Sequence, residues 1–384
     1  MRPCIIIPGI QGSALQNVYP LSPTTTWSTL TIIGEKFTAP DFDSLALDDT
    51  ATADRDELVV TRPSQLLQIA YGPLASALQG RLGVPAYLFP YDWRYSIVQS
   101  AHALVQYVSR LKVKSMPTVL GWDGLFDFAV HSMGGLVLRA FLDAWQRASA
   151  APIPIGQICF IATPHLGSVD AAVALISGES PMFGGYKELR KLARTFPAVY
   201  ELLPRFLPAP IVRAGAALDV FDVNNWQKNT VDPDVGNSGF DVEQVHLTAA
   251  KRVLTTLPLP SDPPFRISPT DQLVIFGNKP NSVIVSVEVG AAPDCWYDFD
   301  NAAKGPGDDV VPVQSAQLAG VSSVEIQVDD VSYFHPVERG MASSDMHAFL
   351  PALDETATIV SRFFQGQRGM DLLPKGLPPA RFHP

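Results

Sequence analysis

The sequence is poor in cysteine and in charge. Cysteine occurs only at positions 4, 159 and 295 of the 384 residues, and charged residues make up 17% of the chain, against about 25% in an average protein. This sparse, odd set has no zinc-ligand spacing, and Cys4 and Cys159 lie in apolar runs, which predicts buried free thiols. The low charge predicts a large buried interior rather than a disordered chain.

Two further absences narrow the function classes. No apolar run approaches the roughly 18 residues of a membrane span, and the N-terminal isoleucine run stops at Pro8-Gly9, too early for a signal-peptide core. The default expectation is a cytoplasmic protein, with export by a route that needs no cleaved signal left open. The formal net charge of −10 argues against nucleic-acid partners, because phosphate binding relies on excess Lys and Arg.

Apolar strand-like and helical segments alternate along the first 160 residues. This order predicts an α/β fold with a mostly parallel central sheet and helices on both faces. A helix is predicted over residues 64–82 and another over 96–111. Catalytic residues in such folds lie at the carboxyl ends of strands. Three such ends are expected at Pro8-Gly9-Ile10, His131-Ser132-Met133 and Thr163-Pro164-His165.

Composition predicts a core that is interrupted twice. Residues 1–169 read as the N-terminal part of the core, and within them 13–57 form an aperiodic, acidic, lid-like excursion. Residues 170–262 show no evident strand and are rich in Pro and Gly, which indicates an inserted helical cap. Residues 263–365 resume the core, and the proline-rich tail 366–384 is expected to be loosely held.

The stretch FDFAVHSMGGLVLRAFL, residues 126–142, predicts a buried strand, a tight turn and a helix. A serine in that position is typical of a hydrolase nucleophile elbow, although Val130 stands where the usual G-x-S-x-G pattern has glycine. Ser132 is therefore the candidate nucleophile; the alternative is a plain turn in which Ser132 caps the helix. The Met133 amide at the helix N-terminus would stabilise an oxyanion, and Ile10, after Pro8-Gly9, would supply the second amide.

A serine nucleophile needs a histidine base and an orienting acid, and in this architecture they follow in the order serine, acid, histidine. Asp308 is preferred as the acid and Asp309 is the reserve; the alternative is a solvated acidic turn. His335 and His347 both follow them at plausible sites. His347 is favoured, because its loop before the last helix is where such folds place the base.

The ordered motifs resemble those of the lecithin:cholesterol acyltransferase family, which includes lysosomal phospholipase A and phospholipid:diacylglycerol acyltransferases. The motifs are PGIQGSAL, FPYDWR, HSMGGL, TPHLGS, FPAVYELLP, GDDVVPVQSA and MHAFL, and they span roughly residues 3–364. The resemblance implies an α/β-hydrolase fold with Ser132 as nucleophile, Asp308 as acid and His347 as base, and with oxyanion donors at Ile10 and Met133. This sequence departs from the family pattern at Val130, and at Asp309, where the family has glycine.

The resemblance also implies a lipid substrate. Trp27 lies in the first excursion, where relatives carry a lid that touches lipid, and Trp93 of the YDWR motif is expected near the pocket. Within YDWR, Asp92 and Arg94 are interpreted as a structural pair. Residues 187–213 hold six basic and two acidic side chains interleaved with aromatic ones. This pattern suits either an anionic membrane surface or a helix packed on the core.

The sequence therefore predicts a serine-dependent lipase or phospholipase that works through an acyl-enzyme and needs no metal or organic cofactor. An acyltransferase that passes the acyl group to a lipid alcohol is the alternative. These two differ only in the acceptor, which the sequence does not report. A third interpretation is an inactive, hydrolase-like binding scaffold.

Overall fold

The computed structural model describes residues 1–28, 42–115, 121–180, 189–231, 240–262, 265–327, 346–374 and 380–384. The strands in these ranges are β1 Cys4–Ile7, β2 Ser13–Asn17, β3 Thr24–Trp27, β4 Thr61–Leu66, β5 Ala86–Leu88, β6 Phe126–His131, β7 Ile155–Ile161, β8 Ile211–Arg213, β9 Ala216–Ala217, β10 Gln272–Glu288, β11 Ala303–Gly307, β12 Ser323–Gln327 and β13 Ala380–His383. The α-helices are α1 Gln68–Leu82, α2 Ile97–Ser115, α3 Met133–Ala148, α4 Val169–Ile176, α5 Leu189–Ala193, α6 Pro197–Tyr200, α7 Lys228–Val231, α8 Gln244–Thr256, α9 Val313–Ala316, α10 Met346–Phe349 and α11 Asp354–Phe364.

The central sheet is mostly parallel. Its strands follow the order β13-β12-β10-β7-β6-β1-β5, and each neighbouring pair from β12 to β5 is parallel. Only the edge strand β13 runs antiparallel to its neighbour on this path. Because parallel neighbours need crossover connections, helices alternate with the strands along the chain. The predicted α/β class and mostly parallel sheet are confirmed.

Alternate side chains along the strands pack into two separate hydrophobic clusters. Ile5 and Ile7 of β1 join a cluster that includes α2 and α3, whereas Cys4 and Ile6 join a cluster that includes α1 and α11. Successive strand residues point to opposite faces, so helices cover the sheet on both sides, as predicted. Cys4 and Cys159 are buried free thiols, also as predicted.

A small antiparallel sheet, in the order β3-β2-β4, follows the first strand. It corrects the predicted start of the first helix: residues up to Leu66 are strand, and α1 begins only at Gln68. The cause is non-local, since Thr61–Leu66 pairs with Ser13–Asn17 far earlier in the chain. Pairing of this kind overrides a helical pattern of apolar residues.

The C-terminal tail was expected to be loosely held, but its end adds a strand to the sheet. Ala380–His383 forms β13 and pairs with β12. How firmly the rest of residues 366–384 is held stays a prediction. The region 170–262, predicted without strands, contains the short β8 and β9. The proposed division into core, excursion and cap stays a prediction.

One long strand carries part of the candidate site. Gln272–Asn278 of β10 lies in the parallel sheet, and the remainder pairs antiparallel with β11. The turn after β11 then returns to the carboxyl edge of the sheet, where β6 also ends. None of the helices in the described ranges combines the length and apolar content that crossing a bilayer requires.

Candidate active site

Ser132 stands in a strained turn between β6 and α3. Its backbone has φ 51° and ψ −130°, a region that residues other than glycine rarely adopt. The turn is held by the Ser132 amide, which donates to the Ile161 carbonyl oxygen at 2.8 Å. Strain of this kind presents a side chain at the top of a sheet, as in a nucleophile elbow.

Glycines let two backbone segments meet at this turn. A Cβ added at Gly134 would lie 2.5 Å from the Pro8 oxygen, and one added at Gly9 would lie 2.7 Å from the Cβ of Ser132. Real Cβ atoms do not approach other atoms so closely. Helix α3 therefore begins in direct contact with the turn after β1, although Val130 precedes it.

Three side chains from distant parts of the sequence form one hydrogen-bonded series. Ser132 Oγ lies 2.8 Å from Nε2 of His347, and Nδ1 of His347 lies 2.9 Å from Oδ2 of Asp308. The other carboxylate oxygen of Asp308 accepts hydrogen bonds from the amides of Val310 and Val311. These bonds fix the orientation of the carboxylate. The series is the arrangement in which a histidine can remove the proton of a serine hydroxyl.

Asp309, the reserve acid, faces elsewhere. Its Oδ1 lies 2.8 Å from the ammonium of Lys279, and its Oδ2 accepts from the Met346 amide at 3.2 Å. Its φ of 78° is in the left-handed region, which explains why glycine suits this position in the family motif. The geometry therefore favours Asp308 over Asp309 as the partner of His347.

The candidate triad is shielded from solvent. The exposed fractions are 4% for Ser132, 8% for His347 and 1% for Asp308. A shielded site strengthens hydrogen bonds among charged and polar groups. Within the described ranges, no group of three His, Cys, Asp or Glu side chains is arranged to hold a metal ion.

The two predicted oxyanion donors belong to the two segments that meet at the serine elbow. Met133 is the first residue of α3, so its amide has no acceptor within the helix. The Ile10 amide, which follows the close contact between Gly9 and Ser132, donates to no residue that the structure describes. A role of the Ile10 and Met133 amides in binding an oxyanion stays a prediction.

Sequence reasoning missed a second polar series behind the serine. The hydroxyl of Tyr71 lies 2.8 Å from Nδ1 of His131 and accepts from the Gly9 amide at 3.0 Å. Nε2 of His131 lies 2.9 Å from the main-chain oxygen of His347. Tyr71 is one of ten tyrosines and lies in no motif, so no local signal marks it.

The predicted substrate-contacting tryptophans are both buried. Trp27 Nε1 donates to the Gln11 oxygen at 3.2 Å, Trp93 Nε1 donates to the Ser13 oxygen at 3.1 Å, and the two rings meet edge to face. These contacts anchor the small sheet beside the Ile10 turn. A direct role in substrate binding stays a prediction for Trp27 and Trp93. His335 lies outside the described residues.

The structural interpretation of YDWR fits the contacts. The guanidinium of Arg94, fully buried, binds both carboxylate oxygens of Asp92 at 2.7 and 2.9 Å. Its Nη1 lies 2.8 Å from Oδ1 of Asp54, within ion-pair distance although the angle is not that of a hydrogen bond. Nη1 also donates to the Leu45 oxygen. Arg94 thus fastens the excursion to the core.

The described part of segment 187–213 favours packing on the core over contact with a membrane. Its apolar side chains at Phe196, Tyr200, Leu203 and Phe206 are buried. Arg194 and Arg205 donate to main-chain carbonyl oxygens inside the protein. Residues 187 and 188 lie outside the described residues. Leu207 of the same segment is exposed, so a contact of residues 187–213 with a membrane surface stays a prediction.

Residues 86–237 match the model of the lecithin:cholesterol acyltransferase family, which confirms the predicted resemblance over this part of the chain. The matched segment contains Ser132 and ends before Asp308 and His347. A comparison with curated proteins gave no significant match.

One solved structure has a similar overall fold, and two others resemble this chain more weakly. One chain of the Tle4–Tli4 complex is 15% identical, with a TM-score of 0.55 over 83% of this chain and 90% of that one. Bacillus licheniformis lipase BlEst2 in its mature form is 11% identical, with a TM-score of 0.37 over 84% and 81% of the two chains. Phospholipase PlaB from Legionella pneumophila is 13% identical, with a TM-score of 0.39 over 85% of this chain and 47% of that one. The chain has the α/β-hydrolase fold, as predicted.

Proposed function

We propose that this chain, which resembles the lecithin:cholesterol acyltransferase family over residues 86–237, is a serine-dependent lipase or phospholipase. The family match supports the general activity, that of an acyl ester hydrolase or acyltransferase. The observation that carries the finer proposal is the series from Asp308 through His347 to Ser132, with both links within 2.9 Å.

In the proposed reaction, Ser132 Oγ attacks the acyl carbonyl carbon while Nε2 of His347 takes the hydroxyl proton. The resulting oxyanion accepts hydrogen bonds from the Ile10 and Met133 amides. His347 returns the proton to the leaving alkoxide oxygen, the carbon–oxygen bond breaks, and an acyl-enzyme remains. A water molecule, deprotonated by His347, then releases the carboxylic acid and regenerates the serine.

Asp308 has an electrostatic task in this scheme. When His347 becomes an imidazolium, the buried carboxylate faces its Nδ1–H, and a charge-assisted hydrogen bond of this kind is about twice as strong as a neutral one. The Val310 and Val311 amides compensate the carboxylate for its loss of water. No metal or organic cofactor is required by these steps.

The proposal is tested with a fluorophosphonate probe and a phospholipid substrate. Wild-type protein should be labelled at Ser132, and Ser132→Ala should lose labelling together with about 10⁴-fold or more of its hydrolysis rate. Equal labelling of wild type and Ser132→Ala would contradict this nucleophile. Absence of labelling in a folded wild-type protein would favour the binding-scaffold interpretation.

Acyl transfer to a lipid alcohol is the second candidate, favoured by the shielding of the triad. A dry site slows the attack of water on an acyl-enzyme and leaves more time for an alcohol. Labelled phospholipid should be supplied with and without a long-chain alcohol. A labelled acyl ester in the presence of the alcohol would support transfer, and fatty acid alone would support hydrolysis.

A further inference from the structure

We propose that Tyr71 and His131 form a hydrogen-bonded tether that holds the turn at Gly9 and the main chain of His347 at a fixed separation. In this role they are positioning residues for the proposed reaction, so the inference rests on the proposed functions of Ile10 and His347. The tether runs from the Gly9 amide through the Tyr71 hydroxyl and the His131 ring to the His347 carbonyl oxygen.

The two ends of this tether decide the direction of every bond in it. The Gly9 amide can only donate, so the Tyr71 oxygen accepts there and directs its own hydrogen to Nδ1 of His131. The His347 carbonyl can only accept, so Nε2 of His131 carries a proton. One arrangement therefore satisfies all four groups, with a neutral ring that is protonated on Nε2.

Burial reinforces this neutral state. The His131 side chain is shielded from solvent, and burial lowers its pKa well below the ordinary histidine value; the adjacent His347 lowers it further. Within the described ranges, Tyr71 and His347 are the titratable groups that contact the ring. Burial likewise raises the pKa of Tyr71, so its hydroxyl keeps the proton that it donates.

Two glycines leave room for the tether. A Cβ at Gly12 would lie 2.7 Å from the Tyr71 hydroxyl, and a Cβ at Gly9 would lie 3.3 Å from Nδ1 of His131. The tether thus passes between segments that only glycine permits to come so close. It connects the residue before one proposed oxyanion donor to the proposed base.

Because proton transfer and oxyanion binding depend on distances of about 3 Å, loosening the tether should slow turnover more than substrate binding. Misplacement by about 1 Å can cost roughly 100-fold in rate. We expect Tyr71→Phe to lower kcat about 10- to 100-fold, with KM changed less than about threefold. The control is Tyr107→Phe, which removes a hydroxyl bound to the Leu88 oxygen and should leave kcat unchanged.

Substitutions at His131 separate the two links. Glutamine can place its amide nitrogen near the position of Nε2, so His131→Gln should keep the bond to His347 and lose less activity than His131→Leu. If the residues act as one tether, adding Tyr71→Phe to His131→Leu should cost no more than about another threefold. Losses that multiply, or a glutamine variant as impaired as the leucine variant, would overturn the tether.

A spectroscopic measurement tests the tether without catalysis. In ¹⁵N-histidine-labelled Ser132→Ala protein, His131 should be neutral, protonated on Nε2 and unchanged between about pH 5 and 8. A ring protonated on Nδ1, or one that titrates near its ordinary pKa, would refute the inference. If Ser132→Ala stays active while this spectrum is as expected, the proposed nucleophile is wrong but the tether remains, so the two failures are distinguishable.

Discussion

Two regions of the molecule bury polar groups and use them differently. At the serine elbow, Ser132, His347 and Asp308 lie within hydrogen-bond distance of one another through side-chain atoms. At the junction of α3 with the end of α8, arginines bond chiefly to main-chain carbonyls. Arg139 donates to the oxygens of Pro258, His165 and Leu257, and burial together with nearby Arg205 lowers its pKa to about 9.

The two regions differ in whether their hydrogen bonds can transfer a proton. A main-chain carbonyl oxygen accepts a hydrogen bond but does not take up the proton. The arginines at the junction therefore hold segments together and transfer no proton. The imidazole of His347 both accepts and donates, so the elbow can move a proton between its ends. Changes at the elbow should therefore lower activity at nearly constant stability, and changes at the junction should do the reverse.

The largest expected effect separates the two adjacent aspartates. Asp308→Asn should lower kcat about 10³- to 10⁴-fold, because an amide can no longer fix the His347 tautomer or balance its charge. Asp309→Asn is the matched control and should cost less than about tenfold, since Asp309 binds Lys279 and the Met346 amide instead. Initial rates on a soluble aryl ester measure both, and a larger loss for Asp309→Asn would reverse the assignment of the acid.

These aspartates also show which parts of the candidate site the sequence alone can predict. The order serine, acid, histidine and the strand–turn–helix context were enough to select Ser132 and His347 and to narrow the acid to two neighbours. The choice between Asp308 and Asp309 depends on a backbone φ and on Lys279 in another strand, neither of which a local pattern contains. Their catalytic roles stay predictions, although the geometry favours Asp308.

Other features were beyond the sequence for the same reason. Tyr71 meets His131 only because α1 packs beside the turn after β1. The indole of Trp27 bonds to the Gln11 oxygen and packs on Trp93, contacts that no local pattern indicates, and a lipid-contacting role for Trp27 stays a prediction. Amphipathic and aromatic patterns show that a side chain prefers apolar surroundings, and they do not show whether the protein or the substrate supplies them.

Arg94 tests the stability side of this comparison in another place, because it fastens the segment around Leu45 and Asp54 to the YDWR turn. Arg94→Gln should lower the free energy of unfolding by about 3–5 kcal/mol, because it leaves the buried carboxylates of Asp92 and Asp54 without their cation. Arg147→Gln is the control: its ion pair with Asp143 is exposed and should be worth about 0–1 kcal/mol. Chemical denaturation measures both. Equal losses for the two variants would show that Arg94 is not a fastening point.

A smaller effect is expected from a buried carboxylate next to α6. Glu201 accepts hydrogen bonds from the Ser96 hydroxyl and the Ile97 amide, at the start of α2. A helix N-terminus favours a negative charge by at most about 2 kcal/mol, but burial outweighs this and raises the pKa of Glu201 to about 7. The folded protein therefore holds a proton on Glu201 that the unfolded chain releases near pH 4.5.

It follows that the free energy of unfolding should fall as pH rises from about 4.5 to 7, by on the order of 3 kcal/mol from this group. Glu201→Gln should make that decline shallower. Part of it should remain, because burial also raises the pKa of Asp127 to about 6. Denaturation at pH 5 and pH 8 measures the slope, and an unchanged slope in Glu201→Gln would contradict the assignment.

Val130 should have the smallest effect on turnover. Its side chain is fully buried among the core residues on one face of the sheet, and its backbone pairs with Ile7 and Phe160. The position of α3 is set instead by the contact of Gly134 with the Pro8 and Ile7 oxygens. Val130→Ala should therefore change kcat/KM by less than about threefold while lowering stability by about 2 kcal/mol. Val137→Ala is the control, because Val137 is also fully buried in that core and the same loss of stability is expected. A more than tenfold change in kcat/KM for Val130→Ala alone would mean that the branched side chain of Val130 shapes the elbow itself.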